Sequence, residues 1–214
     1  MTDADCGVMP EGLVALLRLS AALAVGGDSE WREALRAAGR AAGDQAVEEV
    51  ILQSYLFVGF PVVLNVLRVH RDDIGAPDPV PDGPIDERRE AGERLCRRIY
   101  GSAYARLREH VARLHPDLDR WMIEEGYGKT LSRPGLPVIE RELCIVSLLA
   151  AGGHVPQLRS HLQGALNVGA SHAQVEGALD VGLGAATRAG RPHGLDGAAI
   201  RAEWVGIQSR VGAS

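Results

Sequence analysis

Apolar residues recur at helical spacing along almost the whole chain, and nowhere do they alternate in the two-residue period of a half-buried strand. Leu13, Leu16, Leu17, Leu23 and Ala24 share one face between Pro10, which suits a first helical turn, and Gly26-Gly27, which suits a helix end. Asp28 or Ser29 caps a second helix, and Asp44 opens a third carrying Val47, Val50, Ile51 and Leu52. Gly59-Phe60-Pro61 breaks the chain before a fourth. This punctuation predicts an all-α protein.

The segment IGAPDPVPDGP, Ile74 to Pro84, holds too many prolines and glycines for a helix and too few apolar residues to pack. It reads as a linker and divides the chain into residues 1–73, a linker over 74–85, and residues 86–214. Beyond it one long helix is expected, with Leu95, Ile99, Ala103, Leu107, Val111 and Leu114 on a core-facing stripe. A short helix follows His115-Pro116, and a loop from Gly126 to Pro137 leads into the most apolar helix, Val138 to Ala151. Gly152-Gly153 ends that helix, Pro156 begins the next, and Ser171 with Gln174 forms a capping-box signature for another. Glycines 177, 182 and 184 in that last helix suit close helix approach.

Internal similarity points to duplication. AALAVGG at 21–27 resembles SLLAAGG at 147–153, and Arg32, Leu35, Ala38, Ala46, Glu49 and Leu52 coincide with Arg159, Leu162, Ala165, Ala173, Glu176 and Leu179.

Composition removes several function classes. The 214 residues carry a net charge of -5 with acids and bases interspersed, so no basic face is offered to nucleic acid. Cys6, Cys96 and Cys144 are odd in number and far apart, which fits neither a disulfide framework nor a Cys-x-x-Cys site and favours a reducing, cytoplasmic setting. Gly12 to Val25 has the apolarity of a signal peptide, but acids precede it and Arg18 interrupts it, so a buried helix is expected. No apolar run is read as reaching the roughly 18 to 20 residues that span a bilayer, and no membrane partner is expected.

The segment from Tyr127 to Val168, YGKTLSRPGLPVIERELCIVSLLAAGGHVPQLRSHLQGALNV, resembles the carboxymuconolactone decarboxylase and alkylhydroperoxidase D superfamily, with similarity from about Gly92 to about Pro192. EEVILQSYLFVGFPVVLNVL, Glu48 to Leu67, looks like the latter part of another such repeat. The resemblance implies a duplicated alkylhydroperoxidase D-like helical bundle that forms homo-oligomers. Peroxidatic relatives carry a glutamate, a Cys-x-x-Cys pair and a histidine; here Glu142 and His161 match the first and last, while the cysteine positions fall on His154 and Gln157. Disulfide exchange needs a thiolate, so peroxidase chemistry is not expected to carry over.

Glu142 stands where its helix enters an apolar stretch, with Ile139, Ile145, Val146 and Leu149 around it, a setting that suits a general acid or base. The competing reading pairs it structurally with Arg141, Arg133 or Arg159. His161 lies at the margin of a Leu158, Leu162, Ala165 stripe, and His154 stands seven residues earlier. That spacing exceeds the i, i+3 or i, i+4 geometry of most helical metal sites, so no metal is expected, and the resemblance implies no cofactor. The corresponding positions of the first repeat, Leu16, Asp28 and Ala34, carry no such set, which leaves that repeat as scaffold. Arg133 could hold a substrate carboxylate and Tyr127 could donate to substrate, against loop stabilisation for the one and packing for the other. His70, His110, His115, His172 and His193 read as surface or capping residues, and Trp31, Trp121 and Trp204 as packing groups.

Taken with the resemblance, these residues suggest a cofactor-independent lyase acting on a small carboxylated lactone or related acid, with catalytic Glu142, His154 and His161. The alternatives are a non-catalytic binding or assembly protein of the same fold and, more remotely, an antioxidant protein related to the peroxidases.

Overall fold

Although Glu11–Val25 exceeds it in apolar composition, the helix expected to be the most apolar, Val138–Gly152, is the most enclosed. In a computed structural model describing residues 9–75, 83–190 and 197–211, every residue of this helix from Arg141 to Ala151 is buried. All regular elements among the described residues are helical. They run α1 (Glu11–Val25), α2 (Asp28–Ala42), α3 (Asp44–Arg71), α4 (Ile85–Tyr100), α5 (Tyr104–Leu114), α6 (Pro116–Trp121), α7 (Val138–Gly152), α8 (Val155–Val168), α9 (His172–Arg188) and α10 (Gly197–Val211).

α7 packs against α1, α8 and α9, while α1 and α9 also touch each other. Small residues bring these helices close. A Cβ on Gly182 of α9 would sit 2.4 Å from the Ser147 carbonyl oxygen of α7, so only glycine fits. Ser20 donates to the Cys144 carbonyl at 2.7 Å and Ser147 to the Leu17 carbonyl at 3.0 Å, which pairs both buried hydroxyls across the α1–α7 contact. One apolar core therefore contains residues from both sides of the proline-rich segment. Residues 76–82 of that linker lie outside the described residues.

Several sequence expectations are corrected. Gly59, at φ 79 and ψ 165, breaks α3 just before Pro61, so the third and fourth helices meet end to end across a kink rather than through a loop. The longest apolar stretch exceeds the expected length. α3 contains an 18-residue window of mean hydropathy 2.0, long and apolar enough to cross a membrane, of which 33% is buried. Polar Gln53 and Ser54 interrupt the run to the eye, and both are buried. Phe60 and Leu64, just beyond the kink, are 65% and 61% exposed.

The long helix expected after the linker is two. Gly101, at φ 53, opens a short 3-10 turn between α4 and α5, and the stripe leaves the core toward its end: Leu107 still packs on it, but Leu114 is 69% exposed. The stretch expected as a loop from Gly126 is helical as far as Leu131, because Met122–Leu131 is wound with the wider π hydrogen-bond spacing, seen where Ser132 N–H donates to the Tyr127 carbonyl. α10 was not anticipated; its Ile200, Trp204 and Ile207 are buried, and the helix packs on α8. The capping box does form, with the Gln174 amide donating to Ser171 Oγ at 3.1 Å and the Ser171 amide to Gln174 Oε1 at 2.9 Å.

Candidate functional site

Glu142 lies one turn into α7, and His161 lies midway along α8. Their side chains meet: His161 Nδ1 is 2.9 Å from Glu142 Oε2, with the glutamate 1% and the histidine 5% exposed. Gly164, three residues after His161 on the same face of α8, makes room for this contact. A Cβ there would lie 2.9 Å from Glu142 Oε2 and 2.8 Å from Ile99 Cγ2. Phe57 of α3 stands edge-on to the imidazole, with ring centroids 5.7 Å apart, so the first half of the chain supplies a wall of this site as well as scaffold.

Two phenols face the same carboxylate. Tyr127 Oη donates to Tyr100 Oη at 3.2 Å. Burial raises both tyrosine pKa values well above the ordinary phenol range, and the charge of Glu142 adds to each. Burial likewise pushes the Cys96 thiol up to about 12, with Glu142 again adding. Both phenols and the thiol are therefore held neutral beside the Glu142–His161 pair. With Glu142 ionised, Nδ1 of His161 carries the proton it donates, and the free lone pair sits on Nε2. The pair is then an oriented base, or, once protonated, an oriented acid.

The other residues singled out from sequence lie elsewhere. His154 is exposed at the N-cap of α8 and makes no recorded contact with Glu142 or His161. Tyr127 is buried in the phenol pair. Arg133 already holds a carboxylate, but it belongs to Glu49: Arg133 Nε lies 3.1 Å from Oε1 and 3.2 Å from Oε2. Arg141 shares that glutamate at 2.8 Å, bonds Gln53 Oε1 at 3.3 Å, and donates to the carbonyls of Arg133 and Pro134. Arg159 pairs with Glu203. The three arginines proposed as structural partners of Glu142 thus bind other acids.

His70 is also corrected: it is 4% exposed rather than on the surface, and its Nε2 lies 3.3 Å from Glu48 Oε1. His115 caps α6 as expected, and Trp121 is half-exposed, whereas Trp31 and Trp204 are buried. His193 lies outside the described residues. Tyr100, Phe57 and Gly164 were missed. Of these only Gly164, a helix-breaking residue one turn past His161, left a mark in the sequence. Among the described residues no group of three or more His, Cys, Asp or Glu side chains is placed to hold a metal.

The site lies on the segment that comparison with known proteins picks out. Residues 116–192 match the carboxymuconolactone decarboxylase family. Among individual proteins, it is similar to Peroxisomal protein 2 of Schizosaccharomyces pombe, 33% identical over 135 residues, which is 60% of this chain and 63% of that protein. The match thus spans less than two thirds of the relative's length.

Proposed function

We propose that this protein is a cofactor-independent lyase that removes carbon dioxide from a small carboxylated lactone or related acid, with Glu142 and His161 as the proton-transfer pair. The observation that carries this reading is the 2.9 Å contact between two almost fully buried ionisable side chains. In such a reaction the bond to the carboxylate carbon breaks, carbon dioxide leaves, and the electron pair remains on the adjacent carbon, delocalised into a neighbouring carbonyl. His161, protonated and oriented by Glu142, delivers a proton to that carbon and regains one from solvent. Tyr100, whose oxygen accepts from Tyr127 and which burial keeps neutral, has its own O–H left to bond the developing oxyanion. Neither His154 nor Arg133, which is held by Glu49, has a step in this scheme.

The test is carbon dioxide release from a panel of carboxylated lactones, comparing the natural protein with Glu142→Gln and His161→Gln. Loss of a positioned proton-transfer group should lower kcat by about 100-fold or more. Undiminished turnover in both variants would remove the pair from the chemistry.

One observation favours the second reading, an assembly protein of the same fold without chemistry: Glu142 and His161 are enclosed in a single chain. The exposed apolar side chains Phe60 and Leu64 support homo-oligomer formation under either reading. Sedimentation of a Phe60→Ser, Leu64→Ser variant tests this, the expected result being a shift toward monomer. The helix boundaries also support an internal duplication, since α1, α2 and the first half of α3 run in the same order and at nearly the same lengths as α7, α8 and α9. For cellular address, the scattered cysteines support the cytoplasm and the name of the fission-yeast relative supports the peroxisome. Fractionation of cells decides between the two.

A further inference from the structure

We propose that the cleft between α4 and the turn leading into α7 binds a small acid with an apolar body, its carboxylate held by Arg94, Arg98 and Arg133. The cleft has a volume of 360 Å³; those arginines and Ser132 line it together with apolar Leu95, Leu136 and Val138. Neither Glu142 nor His161 lines it, so the proposal does not rest on the lyase reading.

The charge balance around this cleft is uneven. Arg94 and Arg98 lie one turn apart on α4 and present two guanidinium groups on the same face. The partner of Arg94 is Glu90 at 3.6 Å, with both side chains 71% exposed, a loose pair that solvent largely screens. Arg98 donates to the Val168 carbonyl at 3.3 Å and has no carboxylate partner among the described residues. Arg133 shares the single carboxylate of Glu49 with Arg141, through its Nε and Nη2. Its Nη1 is not part of that pairing. A chain whose overall charge is -5 thus gathers a local surplus of positive charge at one concave place.

The complement of that surplus is an anion, and the apolar lining narrows its type. A bare phosphate would leave Leu95, Leu136 and Val138 uncovered, whereas an aliphatic carboxylate covers them and places its oxygens among planar guanidinium donors. Three arginines on an otherwise acidic chain are too few to track a nucleic-acid backbone.

The test titrates the full chain with octanoate, following amide NMR shifts and heat of binding, with octanol and inorganic phosphate as separate arms. Saturable octanoate binding with shifts concentrated in residues 91–98 and 131–138 is expected, tighter than either octanol or phosphate. An Arg94→Ala, Arg98→Ala variant should bind at least about tenfold more weakly, since a charge-assisted hydrogen bond is worth about 1.5 to 3 kcal/mol and each 1.4 kcal/mol is tenfold. Arg98→Gln, a milder change on an exposed side chain, serves if the double variant does not fold. Glu142→Gln should bind octanoate as the natural protein does, which separates this site from the proton-transfer pair. Absence of saturable binding, octanoate affinity unchanged in the arginine variants, or phosphate or octanol binding as tightly as octanoate would each overturn the proposal.

Discussion

Arg141 and Glu142 are neighbours in sequence, each 1% exposed, and they face about 100° apart around α7. Their surroundings differ in kind. Arg141 has several partners: the Glu49 carboxylate, the Gln53 amide and two backbone carbonyls, while Gln53 returns a bond to the Arg141 carbonyl at 3.3 Å; only its buried Nε is left without one. Burial lowers the arginine's pKa, and Glu49 counters that by stabilising its charge. Glu142 has one strong partner, His161, beside two neutral phenols and a neutral thiol. Burial alone does not distinguish a structural group from a reactive one; the number of partners does. The arginine cluster has little left to give a substrate, since the one unpaired donor of Arg141, its Nε, is itself buried, whereas the imidazole of the sparse pair keeps one nitrogen beyond its bond to Glu142.

The contrast is most sharply broken by Arg141→Met. Removing the guanidinium leaves Glu49 to Arg133 alone and takes the donor from Gln53 Oε1 and from the Arg133 and Pro134 carbonyls, and urea unfolding should show a loss of about 3 kcal/mol. A retained stability would mean that the cluster is not structural.

A third pair, one residue before Glu49 on α3, extends the comparison to pH. Burial raises the pKa of Glu48, but hydrogen bonds and charge from His70 and Arg71 outweigh it and hold the carboxyl at about 2. A carboxyl depressed in the folded state contributes stability that is complete above its unfolded value near 4.5 and disappears as pH falls toward 2. Acid titration should therefore show a loss on the order of 2 kcal/mol across that window, and Glu48→Gln should flatten it.

Gly164→Ala crowds the sparse pair directly. It should cost about 1 to 3 kcal/mol and displace the Glu142 carboxylate, read as a change in the His161 ring resonances. Glu142→Gln is expected to be the mildest in stability, within about 1 kcal/mol, because an amide of the same shape can still bond His161. A large loss of stability there would reverse the comparison and make Glu142 the structural partner.

Much of this arrangement was legible in the sequence, and the failures share a cause. The all-helical fold followed from periodicity and from glycine and proline punctuation, because those signals are local. Glu142 and His161 were found through a family pattern, and their partner positions in α4 and α3 were not. Tyr100 looks like any residue on an amphipathic helix, and Phe57 sits in an apolar run; only the packing of α4 and α3 brings them to the Glu142–His161 pair. Arg133 is a different case. It is expected to hold a substrate carboxylate or to stabilise its loop, and it holds the carboxylate of Glu49, which lies 84 positions earlier and which nothing local announces. The extended α-helix expected after the linker failed on one residue, Gly101, whose positive φ turns a continuous stripe into two segments.

The π-wound segment Met122–Leu131 sets a constraint of another sort. Each of its turns holds more residues than an α-turn, so a side chain near its end is out of phase with one carried on an ordinary helix of the same length. Tyr127 therefore owes its direction to how many residues precede it within the segment, as well as to being a tyrosine. Deleting one residue between Met122 and Gly126 would let the segment relax to ordinary winding and rotate Tyr127 away from Tyr100, even though every side chain that touches the site would still be present. In this stretch, length is the inherited information.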